Sequence, residues 1–261
     1  MELKLAAGIN IEFIERWHSY KLNNVWAPGV TKVISILKNP YTGRALWNWI
    51  KSNPLEFIKT ETDRATTVGD CVHAAVENYV SGKEVKIEYP IEFAELVNNS
   101  WESFLGWWNG KQIKPIAAEL QVASLKYHYV GTLDLLAEEN GKPVIKDWKT
   151  SKVWKENKDG VLLTDESGNY IKYPCWDEYK IQVVAYKRAL AESYGIEITE
   201  PIEIIRFDKK LGTVVVDFVD PKQEDDLFAM FLDCLSVLKR HKKWEAEKKE
   251  AEKRKGGSNE W

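Results

Sequence analysis

Residues 131–149, Gly-Thr-Leu-Asp-Leu-Leu-Ala-Glu-Glu-Asn-Gly-Lys-Pro-Val-Ile-Lys-Asp-Trp-Lys, constrain the fold more than any other stretch of the chain. Two apolar runs flank the turn sequence Glu139-Asn140-Gly141-Lys142, which predicts a β-hairpin. A strand repeats every two residues, so Asp147 and Lys149 project to the same side. The hairpin folds Asp134 back towards them. Two carboxylates and an ammonium then converge at the end of a sheet, a grouping that suits a divalent cation and a phosphodiester. Mg²⁺ and Mn²⁺ are hard cations that prefer carboxylate, carbonyl and water oxygens. A bound dication relieves the repulsion between neighbouring carboxylates. It also acidifies a bound water and neutralises charge building on phosphate. Lys149 would orient or deprotonate the water, or stabilise the pentavalent phosphorus. An Asp-x-Lys triplet is equally at home as a solvated ion pair on an exposed strand. Asp134 is the harder residue to explain in that way, because a carboxylate inside Thr-Leu-Asp-Leu-Leu-Ala is costly to bury without a partner or a metal.

Further along the chain, Gln182 and Tyr186 lie one helical turn apart on one face. Upstream, Gly69-Asp70-Cys71-Val72-His73 sits in a helical segment. Taken in order, Gly69 and His73, then Gly131 and Asp134, then Asp147-Trp148-Lys149, then Gln182 and Tyr186, resemble the PD-(D/E)XK nuclease superfamily. The closest likeness is its RecB-like, phage-type exonuclease branch. Glu119 matches the acidic residue that often precedes the Gly-x-x-Asp strand.

The resemblance implies an α/β restriction-endonuclease-like core, a mixed central sheet flanked by helices, with a helical N-terminal elaboration. It implies that His73, Asp134, Asp147 and the Trp148 backbone carbonyl hold Mg²⁺ or Mn²⁺. Lys149 would be the catalytic lysine. Glu119 would steady a metal-bound water or the lysine, and Gln182 and Tyr186 would hold the strand or support the site. The activity implied is metal-dependent DNA hydrolysis from an end, in phage or mobile-element recombination or repair. End-bearing DNA is the implied partner, with a recombination or single-strand-binding protein beside it. Because imidazole softens the donor set, Mn²⁺ is expected to support activity better than Mg²⁺.

The residues leave other readings open. His73, between Cys71-Val72 and Ala74-Ala75-Val76, also reads as a packed core histidine. Gln182 and Tyr186 share a helix with Ile181, Val184, Ala185 and Leu190, which also reads as a core helix. Two further functions share the motifs: a structure-specific endonuclease on the same fold, and a non-catalytic nucleic-acid-binding protein.

Composition sets the outer limits. A chain of 261 residues with 44% hydrophobic content is long enough for one elaborated domain. We expect a single nuclease domain over residues 1–240, with its core at about 66–220 and its elaboration at 1–65, followed by a charged helical tail at 241–261. The net charge of −3 does not announce a nucleic-acid binder. Lys142, Lys146, Lys149, Lys152, Lys155 and Lys158, with Lys51, Lys59 and Arg64 ahead of the His73 helix, cluster where a local basic channel would be needed, and most of them individually also read as solvated surface. Some CRISPR-adaptation exonucleases of the same branch hold an iron–sulfur cluster on four cysteines. Here Cys71, Cys175 and Cys234 are three, widely spaced and without a Cys-x-x-Cys pair, so no cluster is expected. No apolar run is long enough to cross a bilayer and no signal peptide opens the chain, so a cytoplasmic location is expected. Most of the twelve tryptophans, including the Trp47/Trp49 and Trp101/Trp107/Trp108 groups, are expected in packing.

Residues 9–26 predict a strand or hairpin, or the start of a helix. Helices are expected at 33–37, 43–52, 54–63, 66–80, 92–108, 175–194 and 222–254, and strands at 115–126, 128–137, 143–150, 202–207 and 213–218. Polar residues 153–173 predict an excursion over the site that either covers it or merely connects.

Overall fold

The computed structural model describes residues 3–37, 48 and 50–256. Its centre is a mixed five-stranded sheet of β4 (Ile113–Ser124), β5 (Tyr129–Glu139), β6 (Lys142–Ser151), β7 (Glu203–Asp208) and β8 (Thr213–Phe218), in that spatial order. All neighbours are antiparallel except β6 and β7. The parallel pair requires a crossover, which α4 (Asp177–Tyr194) makes between them. The β5–β6 hairpin closes through Asn140 and Gly141, both at positive φ (52° and 77°). That pair of conformations is what a two-residue turn matched to strand twist demands.

Helices cover both faces. On one side lie α2 (Leu55–Val80) and α3 (Ala94–Trp108). Val68, Val72, Val76 and Val80, spaced four apart, form the α2 stripe that packs on Leu135, Ala137, Trp148, Ile205 and Phe207 with Phe104 of α3. On the other side α1 (Val30–Ile34), α4 and the first half of α5 (Glu224–Gly256) bury Val33, Ile181, Val184, Leu190, Phe231 and Leu235 against Leu136, Ile145 and Ile204. Beyond Lys239 the described side chains of α5 are exposed, as the charged sequence there requires.

The N-terminal region follows the strand-or-hairpin reading of residues 9–26 and departs there from the helical elaboration expected. It opens with a three-stranded antiparallel sheet, β1 (Ile11–Ile14), β2 (Ser19–Leu22) and β3 (Val25–Ala27). Tyr20, Leu22 and Ala27 pack on Ala123 and Val130 of the main sheet, so alternating apolar residues were serving a strand period. The helices expected at 54–63 and 66–80 are one 26-residue helix, α2. No Pro or Gly separates them, and Thr66-Thr67 lowers helix propensity without breaking the helix. Of the helix expected at 43–52, residues 48 and 50–52 are helical and the others lie outside the described residues. Trp47, Trp49 and the tail beyond residue 256 lie outside them too. Residues 153–173 form a loop braced by the bridges Trp154↔Lys172, Glu156↔Leu162 and Thr164↔Tyr170. It is tied to the β7–β8 side, with Trp154 donating to Thr213 and Lys172 bridging to Asp217.

One glycine fixes how closely α4 approaches the sheet. A Cβ on Gly131 would stand 2.4 Å from Cε1 of Tyr186, so the tyrosine ring lies directly on the β5 backbone. Gly131→Ala should therefore lower unfolding stability by about 1–3 kcal/mol through overpacking, measured by urea denaturation. An unchanged midpoint would contradict this packing.

Candidate active site

The ladder between β5 and β6 is regular from Glu139↔Lys142 to Leu135↔Lys146 and stops there. One position further, Asp134 faces Asp147. The Asp134 carboxylate takes the place of the missing backbone partner: its Oδ2 accepts the Trp148 amide at 2.9 Å. Asp147 is fully buried, and its Oδ2 is paired with the Lys149 ammonium. Its Oδ1 has no hydrogen-bond partner in the structure. A buried acceptor left open in this way is costly and points to something that fills it.

Helix α2 brings a second stripe to this point. Thr66, Gly69, Asp70, His73 and Glu77 lie at helical spacing beside the valine stripe and line a cleft of about 690 Å³. Gly69 lets the helix come close, since a Cβ there would meet Thr150 Oγ1 at 3.3 Å. The cleft is closed by Val30 and Thr31 of α1, by Tyr179, Gln182 and Tyr186 of α4, and by His18 and Tyr20 of the N-terminal sheet. The Tyr20 hydroxyl is 2.8 Å from Thr132 Oγ1, which ties that sheet to β5.

Glu119 completes the group from β4. It faces Asp134 across the strand pair but adopts φ of 48°, outside the strand conformation of its neighbours. For a residue other than glycine this costs on the order of 1–3 kcal/mol, and such strain concentrates where a side chain must be aimed. Ligand atoms of His73, Glu119 and Asp134 all lie within 4.8 Å of one another. An imidazole and two carboxylates at that separation suit a divalent cation such as Mn²⁺ or Mg²⁺.

This arrangement differs in one respect from the ligand set expected. Glu119, expected in a supporting role, stands among the three clustered donors. Asp147 lies beside them, engaged with Lys149. The Trp148 carbonyl is close enough to His73 to interact with its ring, while the Trp148 side chain is buried on the opposite face. Gln182 donates to the Tyr186 hydroxyl at 2.7 Å, and both are buried at the cleft wall. Tyr179 was not singled out by sequence. It lies three residues before Gln182 on the same stripe, and the Lys149 ammonium sits 5.3 Å over its ring.

Electrostatics follow from crowding. Desolvation, reinforced by Asp134, Glu77 and Asp147, pushes the Glu119 carboxyl up to about 8. Burial likewise raises Asp134 and Asp147 above the usual carboxylate range, while Lys149 pulls both down. His73 is held down to about 4 by desolvation and the nearby Lys149, so its imidazole is neutral and available as a donor at neutral pH. Lys149 is raised, because Asp147 and Asp134 outweigh its desolvation.

The basic channel weighed for these lysines is not what lines the cleft. Lys146 is buried between Glu139 and Glu203, at 2.7 and 2.8 Å. Lys142 pairs with Glu200, Lys152 with Glu156 and Arg64 with Glu61. None of the residues 153–173 lines the cleft.

No protein-family model matches this sequence, and no curated protein does. Among solved structures, a chain from Eubacterium rectale described as a "putative exonuclease" is similar over 66% of this chain and 66% of its own, just under two thirds of its length. The identity is 14% and the TM-score 0.42. Among the described residues, no helix is long and apolar enough to cross a membrane.

The carboxyl shifts have a signed consequence in metal-free protein. Between about pH 6.5 and 8, Glu119 holds a proton in the folded chain that it has lost in the unfolded one, so stability falls as pH rises. His73 acts with the opposite sign, but only below about 6.5. The melting temperature in EDTA should thus fall across pH 6.5–8, and Glu119→Gln should flatten the fall. Calorimetry across that range checks it; an equal slope in the variant would refute it.

Proposed function

We propose that this cleft hydrolyses phosphodiester bonds of DNA from an end, using a divalent cation. The observation that carries the reading is the convergence at the parted β5–β6 ladder. Buried Asp134 and Asp147, the paired Lys149, a neutral His73 and a strained Glu119 all meet beside an open cleft. The order of these residues along the chain, and their likeness to the RecB-like nuclease motifs, agree with it.

In this reading His73, Asp134 and Glu119 hold the cation, with Asp147 Oδ1 and the Trp148 carbonyl at its side. A cation bound there would polarise the phosphate and acidify a water. Asp147 keeps the Lys149 ammonium charged and aimed into the cleft, and Lys149 neutralises negative charge as it develops on phosphorus and the departing oxygen. Tyr186 fixes the Gln182 amide, which positions the strand. We assign these roles to one nuclease domain over residues 1–240, with residues 241–261 as a charged tail. Phage or mobile-element recombination or repair is the setting we propose, with a recombination or single-strand-binding protein as partner.

End-labelled linear and closed-circular DNA incubated with Mg²⁺, Mn²⁺ or EDTA provides the test. Linear DNA should be lost with either cation, faster in Mn²⁺, and circles should survive. Lys149→Ala should lower the rate at least about 100-fold. Cutting of circles would move the reading to an endonuclease. A folded protein that binds DNA and cuts none would overturn it.

A further inference from the structure

The cleft is poorly charged for gripping phosphates. Its lining carries Asp70, Glu77, Glu119, Asp134 and Glu178, against Lys149 as the one lysine or arginine among the described lining residues. Proteins that hold a duplex do so mainly through lysines and arginines along its backbone, and their affinity falls steeply with salt. Aromatic faces are a different source of affinity, open only to bases that are not paired.

One such face borders this cleft. Trp176, at the start of α4, stacks on Tyr179 with ring centroids 5.4 Å apart and planes at 25°. Tyr179 is the cleft residue beneath the Lys149 ammonium, while Trp176 is 51% exposed. The indole thus extends the surface under the proposed catalytic lysine out to solvent. On the N-terminal sheet, Trp17 and Trp26 are 60% and 51% exposed and meet edge to face at 5.7 Å. The Arg16 guanidinium lies 5.7 Å from the Trp17 ring, and the Lys21 ammonium 5.4 Å from that of Trp26. Trp26 and Lys21 alternate with Ala27 and Tyr20, so they stand on the sheet face turned away from Tyr20, which lines the cleft. Among the described residues four tryptophans are more than half exposed, and these are three of them; Trp244, on the outer part of α5, is the fourth. Indoles normally bury their large apolar faces.

We infer that Trp176–Tyr179 is a stacking platform for the bases of an unpaired nucleic-acid strand, which the cleft takes in preference to a duplex. The inference rests on the nuclease reading for what happens at the phosphate, but not for binding.

The test uses wild-type protein in EDTA, where the proposed hydrolysis cannot proceed. Fluorescence anisotropy would compare oligothymidylate about 20 nucleotides long with oligouridylate, an abasic strand of equal length and a blunt duplex. Oligothymidylate should bind at least about tenfold tighter than the abasic strand and the duplex. Trp176→Ala should cost about tenfold, with no change for the abasic strand, whereas Trp17→Ala with Trp26→Ala should leave binding as it is. Trp176→Phe should restore most of the loss, which a merely structural indole would not require. The salt dependence should be shallow, with a log–log slope below about 2. The uridylate arm distinguishes RNA from DNA. Equal binding of the abasic strand or the duplex, or a Trp176→Ala variant that binds as the wild type does, would overturn the inference. If wild-type protein in Mg²⁺ or Mn²⁺ cuts nothing while the Trp176-dependent binding persists, the nuclease reading falls alone. Cleavage that persists while Trp176→Ala leaves binding untouched sinks the platform alone.

Discussion

Two carboxylates buried side by side, where a β-ladder parts, dominate the energetics of this molecule. Asp134 and Asp147 come from adjacent strands and sit one step beyond the last regular pair. Moving an isolated carboxylate out of water costs several kcal/mol, and two of them repel. The surrounding structure offsets that cost in parts: the Trp148 amide on Asp134, the Lys149 ammonium on Asp147, and proton retention where neither suffices. What remains open is one buried oxygen of Asp147 and a cluster of donors from three separate elements. A dication would satisfy all of them at once, which no side chain among the described residues does.

The rest of the fold serves to hold these groups in place. Helix α2 reaches the site because Gly69 allows it close to Thr150, and it delivers a neutral histidine because the site is dry. Helix α4 lies on β5 because Gly131 leaves room for Tyr186, whose hydroxyl fixes Gln182. Glu119 turns towards Asp134 only by leaving the strand conformation. Its backbone cost and its raised carboxyl are two sides of one arrangement, a negative group directed at other negative groups.

Much of this was legible in the residues. Asn140-Gly141 specified the turn, and period-two alternation placed Asp147 with Lys149 and opposite Asp134. The α2 valines gave the helix its buried face. The ordered motifs drew His73, Gln182 and Tyr186 to the same region. Less legible were features set by three-dimensional crowding. The left-handed conformation of Glu119 has no local signature, because any residue type favouring it would be Gly or Asn. Whether the lysines line a channel or a solvated surface was not legible, since sequence shows how many there are but not that Lys146 lies buried between two glutamates. The N-terminal strands were obscured by Ile-Glu-Phe-Ile-Glu-Arg, which fits both periods over so short a run. Tyr179 was recoverable: extending the Gln182–Tyr186 stripe one turn back reaches it.

The acidic cleft and the proposed use of a cation thus stand together, and the position of a bound cation is the most direct test of the account. An anomalous difference map from crystals grown with Mn²⁺ would locate it. The account expects a peak within coordination distance of His73, Asp134 and Glu119, lost in crystals of Asp134→Asn. A peak elsewhere, or none at saturating Mn²⁺ with the same side-chain arrangement, would contradict it.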